Sequence, residues 1–318
     1  MKRYALLILF LGIASITFAQ QLGTYSQYYI QNSLYNPAAV GIDEQINLAL
    51  FVRKEWTSFP GTPSSNLLIG DSPFNHNRMG IGLQLGQESI VATKTWQANI
   101  SYAYKINLKK GKLSFGAKLG IHQTRFNASD LTIKDEQDKT LTSIQSNSLT
   151  PDLGFGFHYM DKSWSAGIAM YNLTSNQFHA FQNSSTDGEY NSSFSLQASK
   201  NIPLNQNWGF QPSLLAVYLP KLYNLEIVNL TVDYKKELYL GSSYRSNQSI
   251  VFMLAVRLNK ISTALENLRV GYSYDLNMSS LNTYLQNTHE LTLSLLFDHP
   301  KSVKRESQKP AEISPYDL

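Results

Sequence analysis

Alternation of apolar and polar residues with a period of two, held for ten residues or more and restarted many times between turn residues, most restricts what this chain can fold into. Residues 96–108 put Trp96, Ala98, Ile100, Tyr102, Tyr104, Ile106 and Leu108 on one face, against Gln97, Asn99, Ser101, Ala103, Lys105 and Asn107 on the other. Residues 113–122 oppose Leu113, Phe115, Ala117, Leu119 and Ile121 to Ser114, Gly116, Lys118, Gly120 and His122. Near the end, Leu268, Val270, Tyr272, Tyr274 and Leu276 face away from Arg269, Gly271, Ser273 and Asp275, and Leu291, Leu293, Leu295 and Phe297 from Glu290, Thr292 and Ser294. Successive strand side chains point to opposite faces, so each run reads as an amphipathic strand.

A soluble sandwich alternates as well. Three features favour a closed membrane barrel. The runs reach the roughly 9–11 residues that a tilted membrane strand needs, against about five or six in soluble domains. The polar faces carry Gly, Ser, Asn and single charges, as a lumen does. Tyr and Trp gather near run ends, as in interfacial girdles. The expected fold is all-β: a transmembrane antiparallel β-barrel of about fourteen strands, with twelve to sixteen compatible with the pattern. The runs are 46–54, 64–71, 79–90, 94–106, 112–125, 148–160, 163–173, 189–200, 206–219, 224–235, 237–246, 249–258, 266–277 and 288–297. The longest connections, roughly 126–147, 174–188 and 278–287, all follow odd-numbered runs, and the tight turns Asn107–Gly111 and Asp161–Lys162 follow even ones. That parity matches long outer loops and short periplasmic turns.

The first nineteen residues carry Lys2 and Arg3, an apolar run and Ala19 before Gln20, the pattern of a secretory signal over 1–19. Residues 20–45 form an aromatic, amide-rich segment, expected to plug the lumen or lie at its periplasmic mouth. The barrel spans 46–297, and the polar tail 298–318 is expected in the periplasm. There is no cysteine among 318 residues, which excludes disulfides, a lipoprotein anchor and thiolate metal sites. The net charge of +4 is too small for a nucleic-acid partner.

Little in the chain suggests catalysis. The histidines (76, 122, 158, 179, 289 and 299) make no H-E-x-x-H, and there is no G-x-S-x-G. No catalytic, cofactor-binding or metal-binding residue is expected, and the chain reads as a non-enzyme. The pairs Gly80, Gly82 and Gly154, Gly156 lie inside strands and read as small lumen residues that make room for larger neighbours. Lys105, Lys118, Arg269, Asp275 and Glu290 are expected to face the lumen, as a pore lining or as a salt-bridged interior.

An ordered series of motifs resembles the PorP/SprF family of type IX secretion outer-membrane proteins. It runs through Tyr28, Asn36, Pro37, Ala38 and Gly41, then Arg53, Trp56, Gly61, Thr62 and Pro63, then Ser101-Tyr102-Ala103-Tyr104-Lys105, and closes on Gly271-Tyr272-Ser273-Tyr274-Asp275 with His289-Glu290-Leu291. The chain departs from the family at Ala39-Val40, where Tyr-Ala is common. The resemblance implies a Gram-negative outer-membrane barrel of the secretion and gliding machinery that retains or presents a secreted surface protein, such as an adhesin, through that partner's C-terminal domain. It also implies outer-membrane lipid and periplasmic secretion or motility components as partners. A porin or small-molecule channel is the alternative.

Overall fold

The computed structural model describes residues 24–57, 61–127, 145–174, 177–179, 187–189, 191–220, 223–258, 267–278 and 287–298. The expected signal, the tail from residue 299 and much of the three longest connections lie outside the described residues.

Fourteen antiparallel strands close on themselves. They are β1 (Gln45–Lys54), β2 (Ser64–Phe74), β3 (Met79–Ile90), β4 (Thr93–Leu108), β5 (Gly111–Asn127), β6 (Gln145–Met160), β7 (Trp164–Tyr171), β8 (Ser193–Lys200), β9 (Trp208–Leu219), β10 (Tyr223–Tyr234), β11 (Leu238–Arg245), β12 (Ser249–Leu258), β13 (Leu268–Asn277) and β14 (Thr288–Asp298). Each pairs with its sequence neighbours. β1 closes the ring on β14, with Gln45 opposite Asp298 and Lys54 opposite His289. Closure leaves no sheet edge, which a backbone in lipid requires. A short hairpin of Gln177–His179 with Asp187–Glu189 stands apart in the β7–β8 connection, and Ile202–Pro203 adds a two-residue pairing to β9.

The faces are inverted relative to a soluble protein. Outward positions are large and apolar, among them Ile100 (58% exposed) and Leu119 (66% exposed). Aromatic residues flank this band. Trp164, Trp208 and Tyr234 lie at the short-turn end, and Tyr218 with Phe194 at the other. Inward positions such as Asn99, Lys105, Ser114, Asn229 and Ser273 are buried.

The lumen also holds an apolar core. Phe51, Leu67, Ile69, Leu215, Leu225 and Ile227 point inward and cluster with Tyr25, Tyr28 and Leu34 from the segment before β1. β2 therefore carries Leu67 and Ile69 inward with Leu68 outward, apolar on both faces, and extends to Phe74 instead of ending at 71. β8 starts later than its sequence run, at Ser193, because residues 187–189 belong to the side hairpin.

Candidate functional site: the segment inside the lumen

Residues Thr24–Ile42 are folded by local signals into three 3-10 turns, Tyr28–Ile30, Asn32–Leu34 and Pro37–Ala39. Asn36 caps the third, its side chain accepting from the Ala38 amide at 2.9 Å, and Pro37 occupies the first helical position, where a missing N–H costs nothing. Gly41 ends the segment with φ +62°. An added Cβ there would lie 2.7 Å from the Pro73 nitrogen, so only glycine fits.

The segment runs the length of the lumen. Thr24 to Gln27 meet Arg53, Arg245, Asp275 and Glu290, all near strand ends that lead into the odd-numbered connections. Gly41 meets Asp71 and Lys105 near the opposite, short-turn end.

At the first end, four buried charged groups meet Ser26, and a fifth, Glu55, backs Arg53. The Glu290 carboxylate accepts from the backbone amides of Ser26 (2.7 Å) and Gln27 (3.0 Å) and from Arg53 Nη1 (3.3 Å). Arg53 also pairs with Asp275 at 2.7 Å and with Glu55 at 2.9 Å, and Arg245 with Asp275 at 3.3 Å. The Ser26 hydroxyl donates to Asp275 at 2.9 Å and accepts from Arg245 at 2.7 Å and Arg53 at 3.0 Å. In a low-dielectric interior such charge-assisted bonds are the strong ones, and they grip main chain as well as side chain.

Along the middle, Tyr28 shares a 3.0 Å hydrogen bond with Ser213. Burial pushes the Tyr28 phenol up to about 12, with the Ser213 bond and Arg245 pulling the other way, so the hydroxyl stays neutral. Ser195 donates to the Tyr35 carbonyl at 2.7 Å, and Asn36 Nδ2 donates to the Phe157 carbonyl at 2.9 Å beside buried His158. At the far end, Asp71 accepts from Ser33 (2.6 Å), the Gly41 amide (2.9 Å), Asn47 (3.2 Å) and Gln31, and the Lys105 ammonium donates to the Gly41 carbonyl.

Inward glycines seat the segment. A Cβ at Gly80 would stand 2.0 Å from the Val40 carbonyl oxygen, one at Gly116 2.2 Å from the Ala38 nitrogen, and one at Gly271 2.1 Å from the Gln27 side chain. Gly82 and Gly156 likewise face Val40 and Asn36, whereas Gly86 and Gly154 make room for wall side chains such as Gln97 and Tyr171.

The structure brings Tyr28, Asn36, Pro37, Gly41, Arg53, Lys105, Asp275 and Glu290 into this one assembly. Gly61 and Pro63 stand apart at the loop end. The Gly61 carbonyl accepts from Val91 at 3.0 Å and the Pro63 carbonyl from Glu55 at 2.8 Å. Trp56 is half-buried there with φ +48°. Lys118 pairs separately with Asp152 at 2.5 Å, under Tyr171, and Arg269 stacks on Tyr239. Sequence reasoning missed Ser26, Glu55, Asp71 and Arg245. Asp71 and Arg245 occupy inward positions of legible strands, and that parity is the signal that could have found them.

The direction of the segment makes a topological prediction. An epitope inserted just before Thr24 should be detected by antibody on intact cells, and one just after Asp298 only after the outer membrane is permeabilised. Detection of both only after permeabilisation would refute the assignment of ends.

A family model for the type IX secretion system membrane protein PorP/SprF matches residues 17–295. No curated protein matches the chain. Similar solved structures include a Pseudomonas aeruginosa FadL homologue (11% identity, 84% of this chain and 93% of that chain, TM-score 0.44). The Pseudomonas putida toluene transporter TodX (11% identity, 89% and 96%, TM-score 0.46) and the Acinetobacter baumannii outer membrane protein Omp33 (7% identity, 81% and 99%, TM-score 0.46) are others. At these scores the structural likenesses carry nothing about ligand or transport.

Proposed function

The chain belongs to the PorP/SprF family of type IX secretion system membrane proteins and is a β-barrel of the Gram-negative outer membrane; from that premise we propose that it is a plugged, non-enzymatic docking barrel. In this reading it retains or presents a secreted surface protein at the cell surface, with its outer loops against the cargo's C-terminal domain and its periplasmic end toward the secretion and motility machinery.

The observation that carries the reading is the lumen-bound segment. Its main chain is gripped by Glu290, its two ends by Arg53, Arg245 and Asp71, and its middle by hydrogen bonds to β6, β8 and β9. A cavity beside Tyr28, Gln197 and Ser213 measures about 10 Å³, room for roughly one water. A barrel so filled suits binding at its mouths better than passage through its middle.

Affinity capture of the intact protein from its own outer membrane, followed by mass spectrometry, should recover a large secreted surface protein. Recovery of none under conditions that keep the complex together would refute the retention reading. A steady single-channel conductance from the purified wild-type protein would favour the porin.

A further inference from the structure

Two arginines face each other in the lumen, and among the described residues no acid pairs with either. Arg257 on β12 and Arg269 on β13 are direct register partners, and both point inward, in phase with Ala255 and Gly271. Like charges directly opposite on neighbouring strands repel. Among the described residues neither guanidinium forms an ion pair. Each instead donates to the same acceptor, the Tyr239 hydroxyl, from Arg257 at 3.3 Å and from Arg269 at 3.2 Å. Arg269 also lies over the Tyr239 ring, 4.3 Å from its centroid. Both Nε atoms are buried without a hydrogen-bond partner. Asp233 on β10, at the same end of the barrel, already accepts from the Lys236 amide at 3.2 Å.

Three other inward cations are partnered by acids, and Lys105 by the Gly41 carbonyl. Arg53, Arg245 and Lys118 each meet a carboxylate at 3.3 Å or less. One neutral phenol shared by two cations leaves N–H groups to spare, with Asp233 near enough to attract Arg257 but not paired with it, and a partly buried charge without a close partner is costly. The planar edge of a guanidinium matches the two oxygens of a carboxylate, so a carboxylate would supply the missing acceptors.

The geometry points to an anion-binding site formed by Arg257, Arg269 and Tyr239 at the short-turn mouth of the lumen, taking the carboxylate of an acidic peptide segment from a periplasmic partner. The pair faces the lumen, so lipid headgroups outside the wall are kept away from it. Both arginines lie within a residue or two of strand ends, Leu258 and Leu268, and are partly exposed, so a chain entering from the periplasm meets them first. The assignment to a periplasmic partner rests on the docking reading above; the anion site itself rests on the two guanidiniums.

The test is titration calorimetry of the full-length protein in detergent at low salt, with hexaglutamate peptide as one probe and inorganic phosphate as the other. Wild type should bind hexaglutamate saturably. The double variant Arg257→Gln, Arg269→Gln should bind it more than about tenfold more weakly, as expected when charge-assisted contacts are lost. The double variant Lys235→Gln, Lys236→Gln, which removes exposed charges from a turn at the same end, should bind like wild type. Heat-modifiable gel migration shows that each variant has folded. No saturable binding, an equal loss in the lysine variant, or binding of phosphate without hexaglutamate would each overturn the proposal. If hexaglutamate fails to bind while the surface protein is still captured, only this site falls. If the site binds and no surface protein is captured, only the retention reading falls.

Discussion

Replacing Arg53 with methionine is expected to destabilise the protein by about 3–5 kcal/mol, the cost of removing one partner from a buried ion pair. The side chain is nearly isosteric in its stem, so the loss isolates the guanidinium. Arg53 serves Glu55, Asp275 and Glu290 together, and all three carboxylates are buried. Without it, Arg245 remains within ion-pair distance of Asp275 only, and Glu290 keeps its two backbone donors but no cation. The Ser26 hydroxyl also loses one of two cationic donors. The readout is the temperature at which the compact species converts to the slow-migrating species on a gel. The variant should convert well below wild type, and Arg53→Lys should fall between them, because an ammonium keeps the charge but loses the planar fork. A methionine variant as heat-stable as wild type would show that the cluster does not hold the segment.

The second large effect is on conduction. Valine at both Gly80 and Gly116 puts a Cβ where the Val40 carbonyl and the Ala38 amide now sit, at 2.0 and 2.2 Å. Those are backbone atoms on one side and strand backbone on the other, so no side-chain rotation relieves the clash. The ladder pairing of β3 and β5 needs no particular side chain at either position, since both glycines lie in regular register, opposite Ala103 on β4 and, for Gly80, Pro73 on β2. The barrel should therefore close while residues 36–42 are displaced, opening a lumen bounded by fourteen strands. Planar-bilayer recording should show stable conducting events from the double variant and none from wild type. A double variant that folds by gel migration yet stays silent would mean that the segment is not what closes the lumen.

Both predictions depend on residues whose character was only partly legible in the sequence. The strands were legible because alternation with period two is local. A residue and its second neighbour share a face whatever the chain does elsewhere. Thus β4 and β5 could be placed within a few residues, Lys105, Lys118, Asp275 and Glu290 assigned inward, and the ring counted. The same locality explains the weak spot at β2. Leu67 and Ile69 are apolar although they face inward, because they pack on Tyr25, Tyr28 and Leu34 from a segment remote in the chain, and alternation fades where both faces are covered by apolar matter. Asn36, Pro37 and Gly41 announced a capped turn and a glycine-only bend, which is local chemistry again.

What no local rule could supply is which distant groups meet. Ser26 sits beside residues more than two hundred positions away, and the grouping of Arg53, Arg245, Asp275 and Glu290 follows from the closure of β1 on β14. The amino-acid sequence by itself determined that this chain makes an inverted, amphipathic ring of strands with charges on its inner face. Only the tertiary structure decided that those charges hold the chain's own N-terminal segment and that two arginines are left facing each other, because side-chain partners across a lumen are set by ring closure and register and not by spacing along the chain.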